Sequence, residues 1–241
     1  MKLLAWNLNH RASRQRIANW VASAIVAHSP DIVVLTEYVE GPDHERFLTA
    51  LAEGGLHHAL LSPRVERQNQ VLIVSNQTLR RGTLQAPAIH PSVPRNALEV
   101  ILEPIGLHVV GFRMPAFEAA DRPLKRQTWN WLLSELDRLR GRPALIAGDF
   151  NTAPNDPAAR CGDCLAKLSE SGWQCGTPTA GCSWRHAGSG AERQIDHLFL
   201  SPAMSLARSE YCWNFERLSP DAASKKIGVP DHAMLVAEIA A

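Results

Sequence analysis

Residues 144–151 read ALIAGDFN: four apolar residues, a glycine, then an aspartate and an asparagine two positions apart. The run Ala144–Ala147 has the character of a strand buried on both faces. Asp149 and Asn151 at its end are ordinary turn formers when taken alone, because both side chains bond nearby backbone readily. Whether they form a turn or a site depends on what the rest of the chain brings to the same place.

The chain has 241 residues, 45% hydrophobic and 20% charged, enough for one sizeable core. No Gly/Ser-rich or Pro-rich run divides it and no period repeats, so residues 1–241 are read as a single domain. No apolar stretch reaches the ~20 residues of a membrane span. The opening MKLLAWNLNHR turns polar too soon for a secretory leader and reads as a first strand. These features lead us to expect a cytoplasmic protein without a membrane partner, and a monomer by default. The formal net charge of +1 excludes a uniformly basic nucleic-acid coat but allows a locally basic groove. Three local clusters exist: Arg11, Arg14 and Arg16; Arg64 and Arg67; and Arg122, Lys125 and Arg126. Each alone reads as solvated surface, whereas several near strand ends suit a polyanionic substrate.

Two periods alternate along the chain. Leu3–Leu8 reads as a strand, Ile17, Trp20, Val21, Ala24 and Ile25 recur at helical spacing, and Asp31–Leu35 is a short apolar strand after a Ser-Pro break. Phe47, Leu48 and Leu51 mark a second helix and Val71–Val74 another strand. Leu98–Leu102 and His108–Phe112 flank a Pro-Ile-Gly turn as in a hairpin, and Trp129, Leu132, Leu133 and Leu136 form the stripe of an amphipathic helix. A shorter helix is expected over Ala158–Ser169, with strands at Ile195–Leu200, Leu206–Phe215 and Ala233–Ile239. Hairpins mixed with crossovers predict mixed sheets covered by helices, an α/β sandwich, rather than a purely parallel sheet.

Polar residues recur where these strands end or begin: Asn7, Glu37 in LTEY, Asp149 and Asn151 in GDFN, Asp196 and His197 in QIDHLFLS, Asp231 and His232 in PDHAMLV. A carboxylate bordering a buried strand is costly unless paired or bound to metal, so five such places call for a shared explanation. An oxygen-rich, thiol-free set suits Mg²⁺ or Mn²⁺ better than zinc.

The ordered motifs WN, TE, GDFN, IDH and PDH, from Asn7 to His232, resemble the endonuclease/exonuclease/phosphatase superfamily, which includes abasic endonucleases, pancreatic-type deoxyribonucleases, sphingomyelinases and inositol-phosphate 5-phosphatases. The resemblance implies a four-layer α/β sandwich with two central mixed β-sheets flanked by helices, and a Mg²⁺- or Mn²⁺-dependent phosphodiesterase. It further implies that Glu37 is the main metal carboxylate, with Asn7 and Asp231 in the same shell. Asp149 would position and deprotonate the attacking water, Asn151 would bond a non-bridging phosphate oxygen, and His232, oriented by Asp196, would contact the same phosphate. His197 reads as a packed strand histidine, and Trp6 and Trp184 as core or cleft-wall residues, Trp184 also being a candidate substrate contact.

This chain also departs from the family. Where the deoxyribonuclease branch has a histidine near the leaving group and abasic endonucleases often a tyrosine, VVGFRMP places Arg113, which can steady charge but cannot donate a proton as a general acid. Asn9 and Arg193 stand where abasic endonucleases carry an acidic and an aromatic residue, and both are candidate substrate contacts. With only Thr152–Ile195 between GDFN and IDH, a dedicated abasic endonuclease is disfavoured. A nuclease acting on DNA or RNA is the leading expectation, a phosphatase or phosphodiesterase on lipid or small-molecule phosphates the alternative, and a catalytically idle binding protein the third. Cys161, Cys164, Cys175 and Cys182 are spaced imperfectly for a zinc site; free thiols are the leading reading, with a zinc site and a disulfide among them as the alternatives, the first two lying on one helix, and Cys212 reads as a strand core residue.

Overall fold

A computed structural model describes residues 1–9, 17–64, 68–117, 119–186, 188–217 and 230–240. Arg11, Arg14, Arg16 and Arg67 lie outside the described residues. The chain begins β1 (Lys2–Asn7), α1 (Asn19–Val26), β2 (Ile32–Tyr38), α2 (His44–Glu53), β3 (His58–Leu61), β4 (Gln70–Ser75) and β5 (Leu79–Arg81). There follow β6 (Ala97–Leu102), β7 (Leu107–Arg113), α3 (Arg122–Leu139), β8 (Ala144–Asp149), α4 (Gly162–Glu170) and β9 (Gln174–Cys175). The chain closes with β10 (Trp184–Arg185), β11 (Glu192–Arg193), β12 (Asp196–Leu200), β13 (Ser205–Cys212) and β14 (Met234–Ala240).

Two six-stranded sheets form the centre, in the orders β13-β14-β1-β2-β4-β3 and β5-β6-β7-β8-β12-β9, with β10 and β11 as a separate ribbon. Each sheet is mixed: β1 runs parallel to β2 and β7 to β8, and the other pairs are antiparallel. Period-two alternation builds the layers. Leu3, Ala5, Val34 and Ile73 of the first sheet meet Val100, Val109, Leu145 and Leu198 of the second in a core between the sheets. Their neighbours Leu4, Trp6, Val33 and Leu72 turn outward onto Val21, Ile25, Phe47 and Leu51 of α1 and α2. On the second sheet Val110, Phe112, Ile146 and Phe199 pack on Trp129, Leu132 and Leu136 of α3 and Leu165 and Leu168 of α4. The result is the expected four-layer sandwich, whose central strands are apolar because both faces are covered. No helix among the described residues is long and apolar enough to cross a membrane.

Register gathers the strand ends that matter. Asp149 lies opposite Arg113 across the parallel β7–β8 pair and opposite Asp196 across the antiparallel β8–β12 pair. Asn7 ends β1 beside Thr36 of β2, one residue before Glu37. Both sheets therefore present these polar residues at the same end of the sandwich.

Some expectations need correction. The helix expected over Ala158–Ser169 is broken: Ala158–Arg160 is a single 3₁₀ turn, Cys161 is left-handed with φ 69°, and α4 starts at Gly162. A Cβ at Gly162 would lie 1.8 Å from the Asp156 carbonyl oxygen, so the preceding loop packs too closely for a side chain there. Cys161 thus caps the helix that holds Cys164, and all five cysteines are free. The strand expected to reach Phe215 stops at Cys212, which is only half-buried; Phe215 sits in a following turn and packs 4.9 Å from the Trp6 ring.

One buried polar cluster anchors the β6–β7 hairpin. Glu99 accepts hydrogen bonds from the backbone of Thr83 and Leu84, from His108 Nδ1 at 2.6 Å and from Arg138 at 3.1 Å. Burial opposes its ionisation, and these donors outweigh burial to hold its carboxyl below the usual range. Glu99→Leu leaves buried His108 Nδ1 without its acceptor and takes theirs from the less buried Thr83, Leu84 and Arg138 donors, and should cost about 2–4 kcal/mol. Thermal melting should then show Tm lower by about 5–10 °C; an unchanged Tm would mean that water replaces the carboxylate there at no cost.

Candidate active site

The strand ends are built in unusual backbone. Gly148 has φ 142°, and a Cβ on it would sit 2.0 Å from the Phe112 carbonyl oxygen, so only glycine lets β8 approach β7 closely enough to set Asp149 beside Arg113. Glu37 (φ 51°), Asn151 (φ 46°) and Asn9 (φ 46°) are left-handed non-glycine residues, each turning its side chain at a strand end.

Asp149 is 1% exposed. Its Oδ1 accepts from the Asn151 backbone N–H at 2.8 Å, and its Oδ2 from Asn7 Nδ2 at 3.0 Å and Asn151 Nδ2 at 3.1 Å. Burial, followed by the charge of Asp196 across the sheet, raises its carboxyl to about 6 against the partial opposition of His232 and Arg113. A carboxylate with such an affinity for protons is a competent base near neutral pH.

His232 is fixed from several sides. Its Nδ1 donates to Asp196 Oδ2 at 2.7 Å, and its carbonyl accepts from Trp6 Nε1 at 2.9 Å. Asp196 is itself pinned, its N–H donating to Ser183 Oγ at 3.0 Å and its carbonyl accepting from Tyr211 Oη at 2.6 Å. The ribbon β10–β11 holds the His232 segment through Arg185 N–H to Asp231 O and Ala233 N–H to Ser183 O. Burial lowers the basicity of the imidazole, but Asp196 outweighs it and raises His232 to about 9. Among the described residues the protonated ring keeps Nε2–H without an acceptor in hydrogen-bond range, since its neighbours are the Asn7 amide nitrogen at 3.4 Å, itself a donor, and Asp231 Oδ1 at 4.0 Å.

Glu37 pairs with Arg113, Nη2 to Oε1 at 2.5 Å, and receives Asn7 Nδ2 at 3.3 Å. Burial works against its ionisation, while Arg113, His232 and the Asn7 amide overcome it and hold the carboxyl low. Asp231 Oδ1 accepts from Asn9 Nδ2 at 3.3 Å and its Oδ2 from Trp184 Nε1 at 3.0 Å. Asn9 in turn donates its backbone N–H to Asn7 Oδ1 at 2.9 Å.

Four carboxylates (Glu37, Asp149, Asp196 and Asp231) thus meet two cations, Arg113 and His232, and the surplus negative charge fits a divalent cation. Among the described residues no three His, Cys, Asp or Glu side chains form a ready cage. Mg²⁺ does not require one, being held by one or two carboxylates with water. Of the three expected metal ligands, Asn7 Oδ1 and both Asp231 oxygens already accept protein donors, and only Glu37 keeps an oxygen, Oε2, without one among the described residues.

Arg193, expected at the substrate, touches none of this set. Its Nη2 grips Asp156 at 2.7 and 2.6 Å. His197 packs at 1% exposure, with its Nε2 on the Thr152 carbonyl at 2.7 Å, as a strand histidine should. Sequence reasoning did not single out Met114, whose carbonyl accepts Asn151 Nδ2 at 2.8 Å, or the link from Lys125 Nζ to the Asn151 carbonyl at 2.7 Å. The only sequence signal for the latter was the basic cluster that opens α3.

The fold has close counterparts. A 3'-5' exonuclease from Neisseria meningitidis superposes with a TM-score of 0.74 at 21% identity, covering 99% of both chains. A Neisseria 3' phosphatase bound to product DNA hairpin matches with a TM-score of 0.76 at 22% identity over 100% of both. An AP endonuclease from Archaeoglobus fulgidus matches with a TM-score of 0.73 at 17% identity, again over 100% of both chains. No curated protein matches the chain in sequence. A family model for the endonuclease/exonuclease/phosphatase family matches residues 4–220. With that match spanning most of the chain and carrying Asn7, Glu37, Asp149, Asn151 and Asp196, the protein belongs to the endonuclease/exonuclease/phosphatase family.

Proposed function

We propose that this protein is a divalent-cation-dependent phosphodiester hydrolase that cleaves nucleic acid by attack of water on phosphorus. The observation that carries the reading is the buried Asp149, raised to about 6 and bonded by the Asn7 amide, with His232, raised to about 9, 3.4 Å from that same amide. Two groups with affinities pushed so far apart divide into a proton acceptor and a fixed positive donor. The DNA bound to the similar Neisseria phosphatase and the arginines around this end of the sandwich support nucleic acid as the substrate.

In this reading an Asp149 oxygen accepts the proton of the attacking water, while the Asn7 amide and the Asn151 backbone N–H hold the carboxylate in place. His232 Nε2–H donates to a non-bridging phosphate oxygen, and Asp196 keeps the ring oriented and charged. Asn151 has both Nδ2 protons engaged, on Met114 O and Asp149 Oδ2. Its amide must therefore exchange the Asp149 contact for the phosphate when substrate enters. Arg113, beside Glu37, faces the charge that develops on the leaving oxygen. Mg²⁺ or Mn²⁺ at Glu37, with Asn7 and Asp231 at hand, would add Lewis-acid stabilisation of the phosphate and leaving oxygen.

A substrate panel tests the reading: plasmid, linear and single-stranded DNA, RNA and a nitrophenyl phosphodiester, each with Mg²⁺, Mn²⁺ or excess EDTA. At least one nucleic acid should be cleaved with metal and none with chelator. Turnover that survives EDTA would overturn the metal requirement, and hydrolysis confined to the small ester would overturn nucleic acid as substrate.

A further inference from the structure

A cavity of about 270 Å³ borders Asn151 and is lined by Arg122, Lys125, Arg160 and Arg193, with Asp156 as the one carboxylate among the described residues that line it. It is smaller than the roughly 300–1,000 Å³ of drug-sized sites, a scale suited to a phosphate with part of its sugar. The one negative charge is already engaged, because Asp156 takes Arg193 Nη2 on both oxygens and the Ala153 N–H at 2.9 Å. Arg193 Nε and Nη1 remain without a protein acceptor among the described residues. Lys125 donates only to carbonyls, those of Asn151 at 2.7 Å and Arg160 at 3.2 Å. The guanidinium groups of Arg122 and Arg160 are exposed and make no ion pair with any described residue.

Four cations held around one small space repel one another, and an anion among them turns that repulsion into attraction. Asn151 joins this space to the centre, since its side chain bonds Asp149 while its carbonyl takes Lys125. A polyanion with its scissile phosphate at Asp149 lies against Asn151, the residue that also lines the cavity. We propose that this cavity is a second phosphate subsite, in which Arg122, Lys125, Arg160 and Arg193 hold a substrate phosphate other than the one cleaved. The inference rests on the nuclease reading and extends it to the substrate's shape: the preferred substrate carries at least two phosphates. The second phosphate comes from the next link of the strand or from the strand's end.

The test uses Arg122→Ala/Arg160→Ala, two exposed changes away from the catalytic residues. Fluorescence anisotropy with a short single-stranded oligonucleotide, DNA or RNA as the substrate panel selects, is followed across a salt series in excess EDTA. Loss of one phosphate contact should flatten the plot of log affinity against log salt by about 0.7. With metal, kcat/KM on the oligonucleotide should fall about tenfold through KM, a loss equal to about 1.4 kcal/mol, while hydrolysis of the nitrophenyl diester stays unchanged. Oligonucleotides with hydroxyl or phosphate ends separate the two sources: a loss on both kinds marks the internal link, and a loss confined to end-phosphorylated strands marks the terminus. Equal binding and turnover in variant and wild type overturn the subsite alone, as does an equal slowing on the small diester. If the wild-type protein binds no oligonucleotide in EDTA and cleaves none with metal, the nuclease reading and the subsite fall together.

Discussion

Asp149→Asn is expected to lower the rate of bond cleavage by roughly 10²–10⁴, the span over which a positioned base acts, while the protein still folds. The amide has the shape of the carboxylate but cannot take a proton from water. Its oxygen can replace only one of the two acceptor atoms. If it sits at Oδ1 it keeps the Asn151 N–H, and the new NH₂ then faces the Asn7 and Asn151 amide donors that now converge on Oδ2. That mismatch destabilises. The change also removes a buried negative charge opposite Asp196, whose repulsion helps to raise Asp149 in the wild type, and that gain offsets part of the mismatch. Melting should therefore shift little while single-turnover cleavage collapses. A variant that melts normally and cleaves at the wild-type rate would show that the base is elsewhere.

Arg113→Ala should slow cleavage of an ordinary phosphodiester by about 10²-fold or more, the usual loss when one fixed donor to a developing oxyanion is removed. Arg113 Nη2 is committed to Glu37, but its Nε is buried with no hydrogen-bond partner among the described residues, 3.8 Å from Asp149 Oδ2. A buried donor without an acceptor is costly, and an incoming leaving-group oxygen would complete it. An alkoxide departs badly without such help, whereas a nitrophenolate needs little of it. The variant should hence be much less impaired on the nitrophenyl diester. Equal slowing on both would mean that Arg113 grips the phosphate in ground and transition state alike. No slowing on either would leave the leaving oxygen to His232 or the cation.

The central strands were legible because they are long, doubly buried and therefore uninterrupted in apolar character. The motifs at their ends were legible because each follows such a run. The edge strands β3, β5 and β9 were not: they are two to four residues long, half-buried or exposed, and too short for a period to show. The break at Cys161 has one local mark, Gly162, and its cause is the closeness of the Asp156 loop to that glycine. Arg193 reads as free because its partner Asp156 lies 37 residues earlier and only the fold joins them. For the same reason the separate basic residues of α3, the loop after β8 and β11 show no common purpose until they surround one cavity.

Asn9, Glu37 and Asn151 all hold left-handed backbone that costs a non-glycine residue roughly 1–2 kcal/mol each. A laboratory search for heat-resistant variants, scored on folding alone, would be drawn to these positions, since glycine relieves the conformational cost. Yet Glu37→Gly also strips Arg113 of its carboxylate and Asn151→Gly strips Asp149 Oδ2 and the Met114 carbonyl of a donor, losses that offset the backbone gain, and the two changes delete a candidate cation ligand and a candidate phosphate donor. Heat resistance should therefore be sought in the helices and edge strands, with these three residues kept fixed.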